Sequence, residues 1–356
     1  MRDESLAFLR EIVNAPSPSG YEERAAAIYR AYTSKFANEV RTDVHGNVFA
    51  VLNAGASTRI MLAGHIDEIG FIVHYIGDDG MLYFSSIGEH DSANAIGQRV
   101  WVHGRNKIPG VIGRKPVHLL SDEEKKQIPL VEDLWIDIGV CTRAEAEDLV
   151  DMGDIVTYSV EFQEFPGDRA VARGFDNKMG AFIVAEALRE LASNGGLHPD
   201  VGVYAVATVE EEVGYRGAGT AAFGIDARTG IAVDVSHATD YPAMNKQKHG
   251  DLEIGKGPTI TRGSNINAVV FRMLVSAARD ANIPYQIEIS AGSTGTDAHV
   301  MQTSRAGMAT GLLGVAVRYM HTPCEMLSLT DVENCGRLMA AYCRAVAPET
   351  DFTPRL

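Results

Sequence analysis

Hydrophobic and polar positions along this chain follow two periods, and the chain divides where the period changes. Leu6, Leu9, Ile12 and Val13 recur at helical spacing, which predicts an N-terminal helix. Ser19 and Glu22 read as a capping box for a second helix over 23–34. The segment DVHGN at 43–47 supplies a turn between two short strands. Residues 60–63, Ile-Met-Leu-Ala, form an unbroken apolar run, as expected for a parallel strand buried on both faces.

From 69 to 163 the helical period fades. Short alternating segments (GFIVHYI, MLYFSSI, QRVWVHG, IPGVIG, DIVTYSV) are separated by Gly, Pro and Asp, the pattern of a small all-β unit. Short polar helices are expected near 121–126 and 143–148. Beyond 164 helix and strand alternate again: an amphipathic helix over 177–192, a strand over 201–207, a helix after Gly214 and a strand over 231–233. A helix over 268–280, an extended stretch at 286–289, a buried strand over 309–317 and a closing helix over 329–346 complete the pattern. This predicts one mixed α/β domain, built from 1–68 plus 164–356 and interrupted by a β-rich domain at 69–163.

Composition narrows the classes. The 356 residues, 46% hydrophobic and 22% charged, suit one large globular domain with an insertion. Lys plus Arg number 32 against 47 Asp plus Glu, a formal charge of -15. That balance argues against nucleic acid, whose phosphates need clustered cations. The N-terminus MRDESLAFLR places charges where a signal peptide needs an apolar run, and no stretch reaches membrane-spanning length, so a cytoplasmic protein without membrane contact is expected. Cys141, Cys324, Cys335 and Cys343 form no CxxC pair; they read as free thiols with no metal role.

The chemistry gathers at predicted strand ends, where open α/β sheets bind their ligands. The run at 60–63 leads into Gly64-His65-Ile66-Asp67-Glu68, and the strand ending at Val209 into Glu210-Glu211-Glu212. The next strand ends at Asp234, with His237 three residues on, and the last buried strand leads to His321. Asp176 sits just ahead of a helix. Each alone has a plain structural explanation: a satisfied histidine, a helix N-cap for Asp176, a solvated glutamate face. Their coincidence favours a metal site, because three adjacent acids after a buried strand are hard to hold ionised without a cation or donors. With His65 and His321 neutral, the carboxylates of Asp176, Glu212 and Asp234 plus one hydroxide balance two divalent cations. Nitrogen and oxygen ligands without thiolates suit zinc, cobalt or manganese.

The segments AGHIDEIGFIV, RGFDNKMGAF, VATVEEEVGYRGA, VDVSHATD, GKGPTI, STGTDA and RYMHTP resemble metallopeptidase family 42, the glutamyl or tetrahedral aminopeptidase family with two co-catalytic metals. The resemblance covers nearly the whole chain in the family's order. It implies a mixed β-sheet flanked by helices, of zinc-exopeptidase type, whose inserted β domain serves dimerisation. It implies a metal-dependent aminopeptidase that removes the N-terminal residue from short peptides, using a metal-bridging water. Asp176 would bridge two divalent ions, zinc first, with cobalt or manganese as alternatives. Glu212 and His321 would complete one site, and His65 and Asp234 the other. Glu211 would be the acid/base carboxylate, and Asp67 would hold the His65 imidazole. The family also implies a homo-oligomer, dimers building a tetrahedral dodecamer.

His237, Arg262 and Gly295, the last in the loop 292–297, are weaker candidates for substrate contact. A dimetal deacylase or carboxypeptidase is the principal alternative, distinguished by its indifference to a free amine. A two-carboxylate glycosidase leaves the histidines unexplained, and a non-catalytic shell protein would be expected to lack some of these residues.

Overall fold

The computed structural model describes residues 1–354. Leu9, Ile12 and Val13 are buried along one side of α1 (Asp3–Asn14), as their spacing predicts. The chain continues through α2 (Glu23–Thr33), β1 (Glu39–Thr42), β2 (Val48–Leu52) and β3 (Thr58–His65). Six strands follow: β4 (Gly70–Ile76), β5 (Leu82–Ile87), β6 (Arg99–His103), β7 (Lys107–Gly113), β8 (Trp135–Asp137) and β9 (Ile155–Tyr158). Two short helices, α3 (Ser92–Ala95) and α4 (Arg143–Glu147), lie among them. β10 (Gln163–Phe165) and β11 (Arg169–Ala172) return to α5 (Phe175–Asn194), β12 (Val201–Thr208), α6 (Arg216–Ile225) and β13 (Thr229–His237). The rest comprises α7 (Lys246–His249), β14 (Thr259–Gly263), α8 (Ala268–Asp280), β15 (Gln286–Ser290), α9 (Ala298–Met301), β16 (Ala309–Val317), β17 (Glu325–Ser328) and α10 (Leu329–Ala345).

The main sheet has the order β1-β2-β12-β3-β13-β16-β14-β15. Its centre, β12-β3-β13-β16, is parallel throughout, while β2 and β14 join antiparallel at either side. Alternate residues of the central strands enter two cores. Ile60, Leu62, Val203, Ala205, Ile231 and Val233 pack with α1, α5, α8 and α10. Met61, Ala63, Tyr204, Val206 and Ala232 pack with α6 and α9. Strands covered on both faces read as continuous apolar runs, and their polar residues are left to the strand ends.

Strands β4-β5-β8-β7-β6-β9 close into a small antiparallel barrel around Phe71, Phe84, Val102, Ile112 and Ile136. A third sheet, β10-β11-β17, braces the start of α5. No helix among the described residues is long and apolar enough to cross a membrane, and all four cysteines are free.

Two local expectations need correction. Ser19 and Glu22 do not cap α2, because their side chains are taken by other partners: Ser19 Oγ donates to Asp67 at 2.7 Å, and Glu22 accepts from the Gly20 and Glu210 amides. The polar helix near 121–126 is reduced to a single 3-10 turn, Glu124–Lys126. The three-residue strands β8 and β10 are too short to show an alternating pattern.

One close approach positions the site. A Cβ on Gly64 would lie 2.3 Å from the carbonyl carbon of Gly180, so only glycine lets β3 and α5 pack this tightly. That contact sets Asp176, at the start of α5, against His65, at the end of β3.

Candidate metal centre

β3 ends at His65, and Asp67 follows immediately, fully buried. Asp67 Oδ1 accepts from the Glu211 amide and Oδ2 from the Glu212 amide, both at 3.1 Å. The same carboxylate lies 3.2 Å from His65 Nδ1, whose other contact, the Asp67 carbonyl at 3.2 Å, only accepts. A neutral His65 therefore keeps its proton on Nδ1 and turns the Nε2 lone pair into the cavity. His321 has the same arrangement: Nδ1 lies 3.0 Å from the Glu89 carbonyl, leaving Nε2 free.

Both Nε2 atoms face Asp176. His65 Nε2 is 3.4 Å from Asp176 Oδ1, and His321 Nε2 is 3.3 Å from Oδ2. His65 Nε2 also lies 3.8 Å from Asp234 Oδ1, and His321 Nε2 3.6 Å from Glu212 Oε2. Two groups can each hold an ion, His65 with Asp176 and Asp234, and Asp176 with Glu212 and His321; within each, the ligand atoms lie within 4.8 Å of one another. Glu211 Oε2 stands 3.7 Å from His65 Nε2. The backbone here is forced: Glu210, Tyr215, Tyr319 and His321 take left-handed φ of 53, 57, 62 and 58°, at an order of 1–3 kcal/mol each.

The electrostatics match a cation pair. Burial, reinforced by Asp234, Asp297 and Glu212, pushes Glu211 up to about 11, and burial with Asp176 pushes Glu212 to about 8. Burial pulls His321 down, yet Asp176 and Glu212 drive it up to about 10. Left to themselves these groups gather protons near neutral pH, which would block the lone pairs. Divalent cations balance the same charge with every ligand deprotonated. Among the described residues, Glu211 Oε1 and Glu212 Oε1 are also buried without a hydrogen-bond partner, a cost that a cation or a bound water removes. The donor set and these orphaned oxygens fit a two-metal centre.

The structure thus brings His65, Asp176, Glu211, Glu212, Asp234 and His321 to one cavity of about 440 Å³, and His237 and Gly295 also line it. Asp67 lies beneath. Arg262 is not part of it: Thr261 is buried and bonds Glu288, whereas the next residue, Arg262, is exposed, with its guanidinium over Phe271. Sequence reasoning missed Glu325, which accepts from the Asp176 and His321 amides at 3.0 and 3.1 Å. Its position four residues after His321 was the only signal. It also missed Asp297, bonded to Thr208 at 2.5 Å behind Glu211, although STGTDA contains it.

Glu68 anchors the site from below. It is buried against Arg173, and Lys178 Nζ lies 2.9 Å from it. The two cations also donate to the carbonyls of Asn14 and Ala15 at 2.7 and 2.8 Å, joining the end of α1, the end of β3 and the start of α5. Burial would raise Glu68, but Arg173 and Lys178 hold it below the usual carboxylate range.

A model of the M42 glutamyl aminopeptidase family matches residues 46–338. The chain is 33% identical over 351 residues to a lysyl aminopeptidase of Pyrococcus furiosus, spanning 98% of this chain and 99% of that one. Among solved structures, a TET aminopeptidase from a marine sediment archaeon of the Thaumarchaeota superposes with a TM-score of 0.93 at 34% identity, covering 98% of both chains. The TET1 peptidase of Pyrococcus horikoshii, which assembles into a tetrahedron or a large octahedral shell, gives 0.83 at 31% identity over 95% of this chain and 98% of that one.

The ion cluster under the site yields a prediction. Glu68→Gln leaves Arg173 and Lys178 buried without their counter-charge and lowers stability by about 3–5 kcal/mol, measured as the shift in a urea unfolding curve at pH 7. Because Glu68 titrates below its ordinary value, its contribution is present at neutral pH and is lost as pH falls through that lowered value. A loss under about 1 kcal/mol would show that the triad is not structural.

Proposed function

The chain belongs to the M42 glutamyl aminopeptidase family, and from that membership we propose that it removes N-terminal residues from short peptides with two divalent cations held by the centre described above. His65, Asp176 and Asp234 would hold one cation and Asp176, Glu212 and His321 the other. Zinc, cobalt or manganese suit these nitrogen and oxygen donors. Bound there, the cations supply Lewis acidity and a water acidic enough to react near neutral pH.

The chain's own residues do the rest. Glu211 would take a proton from the water that attacks the scissile carbonyl and return it to the leaving amine. It suits this work because it lies beside the ligands and its Oε1 has no protein partner among the described residues. Asp67 positions Glu211 and Glu212 through their amides and orients His65. The acidic lining attracts the ammonium of a free N-terminus, so blocked peptides are excluded. The observation that carries this reading is Asp176, with one oxygen toward each imidazole.

The barrel supports assembly. Val117, Leu119, Ile128 and Leu130, on the long connection between β7 and β8, are 58–68% exposed, an apolar patch that a second copy would cover. The barrel builds a homo-oligomer of the shell-forming kind named for the Pyrococcus horikoshii relative.

Two measurements test this function. Glu211→Gln, assayed on aminoacyl chromogenic substrates, retains both metals and loses turnover by about 10²–10⁴-fold; near-normal turnover with both metals bound overturns the base assignment. N-acetylated versions of the same substrates stay uncut by wild type, whereas equal cleavage would make the protein a deacylase or an endopeptidase. For assembly, Ile128→Asp combined with Leu130→Asp reduces the mass found by light scattering. A monomeric wild type, or an unchanged mass in the variant, contradicts the interface.

A further inference from the structure

The cavity continues past the reacting groups along β13. Ser236 stands two residues beyond Asp234 on the same strand face, roughly 7 Å further on. Its hydroxyl lies 2.9 Å from Glu288 Oε2, on β15, beyond the two intervening strands β16 and β14. Thr261 and Thr259 also donate to that oxygen, at 3.2 and 3.4 Å. Three hydroxyls therefore fix one carboxylate oxygen in place. Among the described residues, Glu288 Oε1 has no hydrogen-bond donor and no lysine or arginine partner.

The exposure pattern of β15 is inverted from what solvation favours. Ile287 and Ile289 are 41% and 71% exposed, while Glu288, between them, is turned inward and lines the cavity. A carboxylate turned inward, oriented by hydroxyls and left without a counter-charge, is poised to receive a cation. Among the described residues no lysine or arginine lines the cavity, and Glu89 adds a further acidic residue to its wall. The distance from Asp234 to Ser236 is comparable with the reach of lysine's four-carbon stem.

We infer that Glu288 determines specificity: its free oxygen receives the ammonium or guanidinium of the substrate's first side chain, so the enzyme favours peptides beginning with lysine or arginine. The inference rests on the aminopeptidase reading above and assigns the substrate class to that site. An acidic first residue meets repulsion from Glu288, and a neutral one leaves the oriented carboxylate unpaired.

The test compares kcat/KM for lysyl, arginyl, leucyl and glutamyl p-nitroanilides, using metal-loaded wild type and Glu288→Gln. In wild type the two basic substrates lead leucyl by at least about tenfold, the scale of one close charge pair, and their lead shrinks as salt is raised. In Glu288→Gln the lysyl-to-leucyl ratio falls by at least about tenfold. A wild type that prefers leucyl or glutamyl substrate overturns the assignment of Glu288 alone, and does so even if the variant fails to fold. A ratio that moves less than about threefold in a folded variant overturns it as well. If wild type cleaves no free-amine substrate with zinc, cobalt or manganese, the aminopeptidase reading fails and the specificity falls with it.

Discussion

Negative charge concentrated at one end of four parallel strands is the constraint from which the rest of this structure follows. Asp176, Glu211, Glu212 and Asp234 meet in a cavity where, among the described residues, the only positively ionisable side chains are imidazoles. Such a cluster is held together only if its backbone cannot relax. Asp67 accepts two successive amides of the glutamate run and contacts His65, and Glu325 accepts from Asp176 and His321. Beneath them, Glu68 with Arg173 and Lys178 locks β3 to α5. The Gly64–Gly180 approach removes the last slack between these elements. Remaining free energy would be gained by letting the acids separate or by bringing in cations, and the scaffold prevents the first.

The neighbouring glutamates show how local geometry separates roles. Glu211 Oε2 turns toward His65 and Glu212 Oε2 toward His321, although they are adjacent in sequence. The left-handed residue Glu210 and the tight turn at Gly214 and Tyr215 take the chain out of strand geometry here, so a ligand and a proton carrier come from one short loop. Glu288, by contrast, reaches the cavity from an edge strand and requires three β-strands in register to hold it.

Much of the fold was legible because its strands are buried on both faces. The apolar runs at 60–63, 201–207 and 309–317 predict parallel strands, and a polar residue after such a run predicts a site at its end. His65, Glu212, Asp234 and His321 follow from that rule and Asp176 from its place ahead of a helix, with the motif resemblance giving them roles. What stayed hidden is polar structure whose partners are distant in sequence. Ser19 and Glu22 have the spacing of a capping box, but tertiary hydrogen bonds to the site outcompete the local motif. Glu325 and Asp297 act on backbone amides and a hydroxyl, which no spacing reveals. Arg262 and Glu288 differ only in strand parity, and a one-residue change of parity decides which face the side chain takes.

Metal content measures most directly whether this scaffold holds two cations around Asp176. Purified protein, stripped with chelator, reloaded with zinc or cobalt and desalted, should carry two ions per chain by elemental analysis. Asp176→Ala, which removes the shared ligand from both groups, should carry neither tightly. A wild type that retains no ion, or an Asp176→Ala variant that still retains two, would contradict the account.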